Sequence, residues 1–147
     1  MNLPNQALAR YGNVKVMTAS PADHIVMLYD GCFRFLREAM EANRTGDRGR
    51  MGERIGRANN ILSCLLAGLD RSVAPKLCDQ LEPLYGFCMR HLLEGNLKNQ
   101  PKNLEEVIGV LSPLRNAWAE AATQLVRERA RQTADARAAT KATGATQ

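Results

Sequence analysis

Four stretches of this chain place apolar residues at intervals of three and four, the spacing that lines one face of an α-helix. They cover roughly residues 21–43, 48–69, 73–97 and 104–126. No stretch alternates apolar and polar residues for long enough to predict a strand. Because the connections between the stretches are short, the pattern predicts an all-α fold, an antiparallel up-down four-helix bundle.

The first two helix starts carry clear capping signals. Ser20 predicts an N-cap, Pro21 suits the first helical position, and Asp23 stands where an acidic side chain favours the helix dipole. Asp47 predicts the N-cap of the second helix, directly after the Thr45-Gly46 break.

The third and fourth helix starts carry weaker signals. Ser72 predicts the N-cap of the third helix, after a short turn that begins at Asp70. Asn103 followed by Glu106 resembles a capping box and predicts that the fourth helix begins near Leu104.

Three features interrupt the helix interiors. Gly31 lowers the stability of the first helix by about 1 kcal/mol relative to alanine, so we expect another element to pack closely there. Pro83 and Pro113 predict bends in the third and fourth helices, with Gly109 leaving room for the ring of Pro113.

The two ends of the chain differ from the predicted bundle of residues 20–126. Residues 1–19 are mostly polar and predict a mobile segment before the bundle. Residues 127–147 are rich in Ala and Thr and have no apolar face, which predicts a disordered tail or a fraying helix end.

Composition narrows the functional classes. The 147 residues suffice for one core, and because aromatic residues make up only 5% of the chain, that core must be mainly aliphatic. No apolar run is long enough to span a membrane and no secretory signal precedes the bundle, so we expect a cytoplasmic protein without membrane insertion. Four cysteines without a C-x-x-C pair predict free thiols buried in the core.

The net charge of +5 is unevenly distributed, since residues 127–147 contain five basic and two acidic side chains. Nucleic-acid binders usually concentrate basic charge on a folded face, so we do not expect nucleic acid as the main partner. A nucleic-acid interaction through the basic tail remains an alternative.

Catalytic and metal-binding patterns are missing from the sequence. His24 and His91 have no partner at metal-ligand spacing, and no glycine-rich phosphate loop follows a strand. No nucleophile has a recognisable base. We therefore predict that the protein is not an enzyme and has no cofactor or metal.

Four ordered blocks, between about residues 8 and 120, resemble the FliS family of flagellar secretion chaperones. The first is Tyr11 with Val16-Met17-Thr18-Ala19-Ser20-Pro21 and Ile25-Val26-Met27-Leu28-Tyr29-Asp30-Gly31. The second is Gly46-Asp47 with Ile55-Gly56-Arg57-Ala58-Asn59-Asn60-Ile61-Leu62 and Leu69-Asp70. The third is Leu81 with Leu84-Tyr85, Met89-Arg90-His91-Leu92-Leu93 and Asn96. The fourth is Leu104-Glu105-Glu106-Val107 with Leu111, Leu114-Arg115 and Trp118.

The resemblance implies a four-helix bundle with an N-terminal segment that covers an apolar groove and moves aside when a client binds. It implies that the client is the disordered C-terminal segment of flagellin, which the chaperone keeps from polymerising and delivers to the flagellar type III export apparatus. It further implies docking of Leu8 and Tyr11 at a component of the export gate. Whether the protein also sequesters a flagellar regulator, and whether it is a monomer or a homodimer, stays open, as does the alternative of a helical scaffold for another protein.

Ten residues of these blocks are predicted to contact a partner. The set comprises Leu8, Tyr11, Tyr29, Gly31, Asn59, Asn60, Leu62, Tyr85, Leu92 and Asn96.

Overall fold

The computed structural model describes residues 20–144, and the predictions made for residues 1–19 lie outside this range. Four helices follow one another: α1 (Pro21–Arg44), α2 (Arg48–Ala67), α3 (Pro75–Leu97) and α4 (Pro101–Gly144). Each of α1 and α3 packs against both α2 and α4, and neither diagonal pair is in backbone contact. The predicted all-α, up-down four-helix bundle is therefore confirmed.

The core is aliphatic, as the low aromatic content predicts. Each helix contributes a leucine with no exposed surface, namely Leu36, Leu62, Leu92 and Leu111. Two tyrosines are the main aromatic exceptions: Tyr29 of α1 and Tyr85 of α3 meet across the core and are hydrogen-bonded through their hydroxyls. The predicted apolar stripes thus face one another in the bundle.

The first two predicted N-caps are confirmed. Oγ of Ser20 accepts from the backbone N–H of Asp23 at 3.1 Å. Oδ2 of Asp23 in turn accepts from the backbone N–H of Ser20 at 2.9 Å, which completes a capping box with Pro21 at the start of α1. Oδ1 of Asp47 accepts from the backbone N–H of Arg50 at 3.0 Å and caps α2.

The predicted cap of the third helix is wrong. Helix α3 begins at Pro75 with Ala74 as its N-cap, and no side chain caps it. Ser72 instead donates its backbone N–H to Oδ1 of Asp70 at 2.9 Å. Asp70 thereby fixes a tight turn, and the helix starts two residues later than predicted.

The predicted start of the fourth helix is also wrong. Helix α4 begins at Pro101, for which the missing N–H is no loss in a first turn, so Asn103 is already inside the helix. Asn103 is buried, and its Nδ2 donates to the backbone carbonyl of His91 on α3 at 3.1 Å. Its side chain joins two helices and does not cap one.

Helix α4 is much longer than its apolar pattern predicts. It continues past Val126 to Gly144, and every residue from 123 to 144 is exposed. Of the two expectations for this segment, the structure shows a helical end and not disorder within residues 127–144. An extension needs no new helix nucleus, so residues with good helix propensity can continue the helix without packing.

The interior glycines and prolines do not interrupt the helices. Helices α3 and α4 run through Pro83 and Pro113 without a break, and the predicted bends stay predictions. A Cβ atom added at Gly109 would meet no side chain within 4 Å, so the ring of Pro113 does not require glycine there. Gly31 is buried on α1.

Candidate protein-binding surface

An apolar pocket opens at the end of the bundle where α1 and α3 begin and α2 ends. Its volume is about 180 Å³. Ile25 and Leu28 of α1 and Trp118 of α4 form its inner wall. The rest of the lining comes from the end of α2, the α2–α3 turn and the first turns of α3: Cys64, Leu65, Gly68, Leu69, Asp70, Val73, Ala74, Leu77, Cys78, Leu81 and Tyr85.

The rim of the pocket exposes large apolar side chains. Val73 is 79% exposed and Leu77 is 39% exposed, although both lie beside buried core residues. Among the described residues of the lining, Asp70 is the only charged one. An exposed apolar rim around an apolar cavity is a common feature of sites that bind another protein.

The turn that forms the rim is held from outside the pocket. Arg71 donates to Oδ1 of Asp79 at 2.6 Å and to Oε2 of Glu82 at 2.7 Å, both on α3. These ion pairs are exposed and each contributes little energy, but together they orient the turn. The polar groups therefore point away from the cavity.

The opposite end of the bundle is closed by polar contacts. Nδ2 of Asn43 donates to Oδ1 of Asn99 at 2.5 Å, which joins the last turn of α1 to the α3–α4 turn. Arg48 of α2 donates to the backbone carbonyl of Asn96 on α3 at 3.1 Å. The two ends of the bundle thus differ: one holds the apolar pocket, whereas polar contacts join the helices at the other.

Helices α2 and α3 pack side by side between the pocket and the closed end, and we call the line where they meet the α2–α3 groove. At its far end, a Cβ atom added at Gly52 would lie 3.6 Å from the side-chain amide of Asn96. Asn59 follows Gly52 by seven residues, or two helical turns, and therefore lies on the same side of α2. Oδ1 of Asn59 is buried and has no hydrogen-bond partner among the described residues.

The structure disperses the predicted partner-binding residues. Tyr85 lines the pocket, although it is only 2% exposed. Tyr29, Gly31, Leu62 and Leu92 are buried in the bundle. Direct contact of these side chains with a partner stays a prediction, and the structure gives them a packing role.

Three other predicted residues lie nearer the surface. Asn59 and Asn96 are half-buried along the α2–α3 groove, and Asn60 is exposed on α2. Leu8 and Tyr11 lie outside the described residues. Of the ten predicted residues, the structure thus places Asn59 and Asn96 on the α2–α3 groove and Tyr85 in the pocket.

Sequence reasoning missed the residues that form the pocket rim. Val73 and Leu77 belong to the stretch that predicts the third helix, and neither is among the ten residues predicted to contact a partner. A usable signal was the apolar sequence on both sides of a charged turn: Leu69 precedes Asp70 directly, and Val73 follows three residues later. A polar turn that interrupts an apolar run so briefly leaves apolar side chains at the helix ends.

The four cysteines are free, as predicted. Cys32, Cys78 and Cys88 are buried and Cys64 is half-buried. Burial raises the pKa of the Cys32 thiol to about 12 and that of the Cys88 thiol to about 11, so both are protonated near neutral pH. Core thiols in this state act as small apolar side chains.

Two further features are missing from the part of the chain that the structure describes. Within residues 20–144, no three or more His, Cys, Asp or Glu side chains gather in a way that could hold a metal ion. None of the four described helices combines the length and the apolar character needed to cross a membrane.

The fold is a four-helix bundle with an accessible apolar pocket at one end, an arrangement that suits an amphipathic or extended segment of another protein. The chain belongs to the FliS family, described as "Flagellar protein FliS", which it matches over residues 4–125. The resemblance seen in the four sequence blocks is thereby confirmed.

Curated relatives cover most of this chain. The flagellar secretion chaperone FliS of Salmonella typhimurium (strain LT2) is 39% identical over 104 residues, which are 70% of this chain and 77% of the relative. The protein of the same name from Bacillus subtilis (strain 168) is 34% identical over 111 residues, 76% of this chain and 82% of the relative. That of Escherichia coli (strain K12) is 32% identical over 117 residues, 78% and 86%.

Proposed function

We propose that this protein is a cytoplasmic, non-enzymatic export chaperone that binds the disordered C-terminal segment of flagellin. Binding prevents premature polymerisation, and the chaperone delivers the segment to the flagellar type III export apparatus. The observation that carries the proposal is the apolar pocket with its exposed rim at Val73 and Leu77. Membership of a family whose relatives are named flagellar secretion chaperones supports it.

The pocket and the groove supply complementary interactions for such a client. Apolar side chains of an amphipathic segment enter the pocket, where water is released from both surfaces. Where the segment continues along the α2–α3 groove, the half-buried side chain of Asn59 rotates outward, and its Oδ1, which lacks a partner in the free protein, accepts from a backbone N–H of the client. Because the client orders on binding, the complex has modest affinity for its area and can be released.

Residues 1–19 have a role in the same proposal. They precede Ser20, which lies at the pocket end of the bundle. In the free protein the apolar side chains of Leu8 and Tyr11 cover the groove, and flagellin displaces them. Once displaced, they are available to dock at a component of the export gate.

Calorimetry with a peptide of the last ~50 residues of flagellin tests the proposal, because coupled folding and apolar burial give a large negative heat-capacity change. We expect one-to-one binding with little dependence on salt. Leu77→Asp places a charge on the pocket rim and should weaken binding by about tenfold or more. Phe87→Asp is the matched control, since Phe87 is 41% exposed, almost the same as Leu77, but stacks on His91 outside the pocket lining.

Two results would overturn parts of the proposal. No heat and no complex on gel filtration would exclude the flagellin segment as client and favour a scaffold for another protein. Equal weakening by both aspartate variants would leave flagellin as client but remove the pocket as its binding site.

A further inference from the structure

The exposed end of α4 carries a one-sided basic surface that the proposed function does not use. The family match ends at residue 125, and the part of α4 in which no residue is buried or half-buried begins at residue 123. This segment is thus an extension beyond the family domain. Its five basic residues are all exposed, and none forms an ion pair with another described residue: Arg127, Arg129, Arg131, Arg137 and Lys141.

Helical spacing places four of these five side chains on one face. At 3.6 residues per turn, they fall within about a third of the helix circumference. We call Arg127, Arg131, Arg137 and Lys141 the basic face. The acidic side chains Glu128 and Asp135 share one position outside this arc, beside it.

We propose that the basic face binds the phosphate backbone of double-stranded DNA. The face extends over roughly 21 Å of helix at 1.5 Å per residue. A duplex presents about one negative charge per 1.7 Å of its axis, so four cations over that distance meet many phosphates and release condensed counterions. Three of the four cations are arginines, whose planar guanidinium groups bind phosphate in a bidentate manner.

The shape of the segment suits a major groove. The side chains between the cations are the small residues Ala130, Ala134 and Ala138, which keep this side of the helix narrow. The major groove of B-DNA is about 12 Å wide and admits an α-helix. A continuous helix that leaves a helical domain and enters the major groove is an established way to bind DNA.

The same residues argue against the other polyanionic partners. Membrane-surface helices carry large apolar side chains opposite their basic face, whereas this helix carries polar and small residues there, including Arg129 and Thr133. Protein interfaces depend on buried aromatic or aliphatic anchors, which are missing between residues 127 and 144. Single-stranded nucleic acid needs aromatic stacking platforms, and the major groove of duplex RNA is too narrow for a helix.

Fluorescence anisotropy with a labelled 24-base-pair DNA duplex of arbitrary sequence tests the proposal on the full chain. For four phosphate contacts, the slope of log K against log[salt] should be about −3.6, so affinity should fall roughly 100-fold between 50 and 200 mM salt. Neutralising the face with Arg127→Gln, Arg131→Gln, Arg137→Gln and Lys141→Gln should reduce affinity at 50 mM salt by at least tenfold and bring the slope close to zero.

A control variant neutralises four exposed cations of the bundle by the substitutions Arg50→Gln, Lys76→Gln, Arg90→Gln and Lys102→Gln. It has the same net charge as the basic-face variant and should keep the affinity of the unmodified protein within about threefold. Circular dichroism checks that both variants retain the helical fold.

A second comparison separates the face from the charge. Exchanging Arg131 with Gln132 and Ala136 with Arg137 keeps the composition but moves two cations off the face. We expect weaker duplex binding than in the unmodified chain.

Several outcomes would overturn the proposal. The first is that the unmodified protein does not bind the duplex at 50 mM salt. The second is that the basic-face variant and the bundle variant lose equal duplex affinity, or that the positional exchange leaves this affinity unchanged. The third is that the protein binds single-stranded RNA or anionic vesicles more tightly than the duplex. Because the flagellin assay is salt-insensitive and depends on the pocket, its result is independent of this one.

Discussion

The hydroxyl groups of Tyr29 on α1 and Tyr85 on α3 are hydrogen-bonded to each other inside the core. The two helices are diagonal neighbours without backbone contact, so only long side chains can join them. Burial raises the pKa of both phenols, which keeps them neutral and able to share one hydrogen bond. Since Tyr85 also lines the pocket, its bond to Tyr29 ties one lining residue of the candidate site to the core.

Removing either hydroxyl should destabilise the protein. Tyr29→Phe leaves the hydroxyl of Tyr85 buried without its partner, and Tyr85→Phe does the reverse, so each should lower the free energy of unfolding by about 1–3 kcal/mol. The double variant removes both polar groups and should lose less than the sum of the single losses. Urea denaturation of the four proteins measures the coupling, and strictly additive losses would show that the bond contributes nothing.

Gly95 illustrates a contact that sequence patterns do not reveal. A Cβ atom added there would lie 2.8 Å from Cβ of Asn103 and 3.1 Å from the backbone carbonyl of Gln100. Gly95→Ala should therefore force α3 and the α3–α4 turn apart and lower the free energy of unfolding by about 1–3 kcal/mol.

Gly56→Ala is the matched control for this prediction. Gly56 lies inside α2, and a Cβ atom added there would meet no atom within 4 Å. Alanine should stabilise the helix by about 0.5–1 kcal/mol, since it loses less backbone entropy on folding. Thermal or urea unfolding should thus give opposite signs for the two variants, and stabilisation by Gly95→Ala would contradict the close approach.

The sequence predicts the fold well because helices and their N-caps depend on residues that are close together in the chain. Stripes at intervals of three and four identify all four helices, and Ser20 and Asp47 mark two starts correctly because their side chains bond residues three positions ahead. The failures at Ser72 and Asn103 have non-local or competing causes. Asp70 captures the N–H of Ser72, and Asn103 bonds a carbonyl on another helix.

The candidate site is less predictable for a similar reason. Burial of Leu62 or Leu92 and exposure of Val73 depend on how α3 sits against its neighbours, which an apolar pattern does not specify. An apolar position in a helical stripe reads the same whether a core or a pocket lies beneath it. The resemblance to a family supplies the function, whereas the geometry of the pocket requires the structure.

The capping box of α1 predicts a pH-dependent contribution to stability. Hydrogen bonds from the backbone and the hydroxyl of Ser20 lower the pKa of Asp23 in the folded protein. A carboxyl group whose pKa is lower in the folded protein than in the unfolded chain stabilises the fold. This contribution is complete above the pKa of the unfolded chain, about 4, and is lost as the pH falls through the pKa of the folded protein. Asp23→Asn should therefore destabilise the protein at pH 7 by about 0.5 kcal/mol and by progressively less toward pH 3.

Ser20→Ala provides the comparison for this pH dependence. It removes the acceptor of the Asp23 backbone N–H, which does not titrate, and should cost about 1 kcal/mol at pH 7 with a substantial part remaining at low pH. The test measures the urea unfolding midpoints of both variants and of the unmodified protein at pH 7, 5 and 3.5. An Asp23→Asn effect that is constant with pH would exclude the carboxylate as its source.

Asn59 leads to a prediction in which stability and binding change in opposite directions. Its Oδ1 is buried without a hydrogen-bond partner among the described residues, and such an acceptor costs the free protein about 1–3 kcal/mol. Asn59→Leu removes this cost and should raise the free energy of unfolding. If a backbone N–H of the flagellin segment normally donates to this oxygen, the same variant should bind the peptide about tenfold more weakly.

Asn60→Leu is the control for this prediction. It changes the exposed neighbouring position and gains the same helix propensity, so the difference between the two leucine variants isolates the buried acceptor. Equal stabilisation by both variants would show that the Asn59 oxygen carries no penalty in the free protein. Full peptide affinity in Asn59→Leu would remove the α2–α3 groove from the binding site and leave the pocket as its main contact.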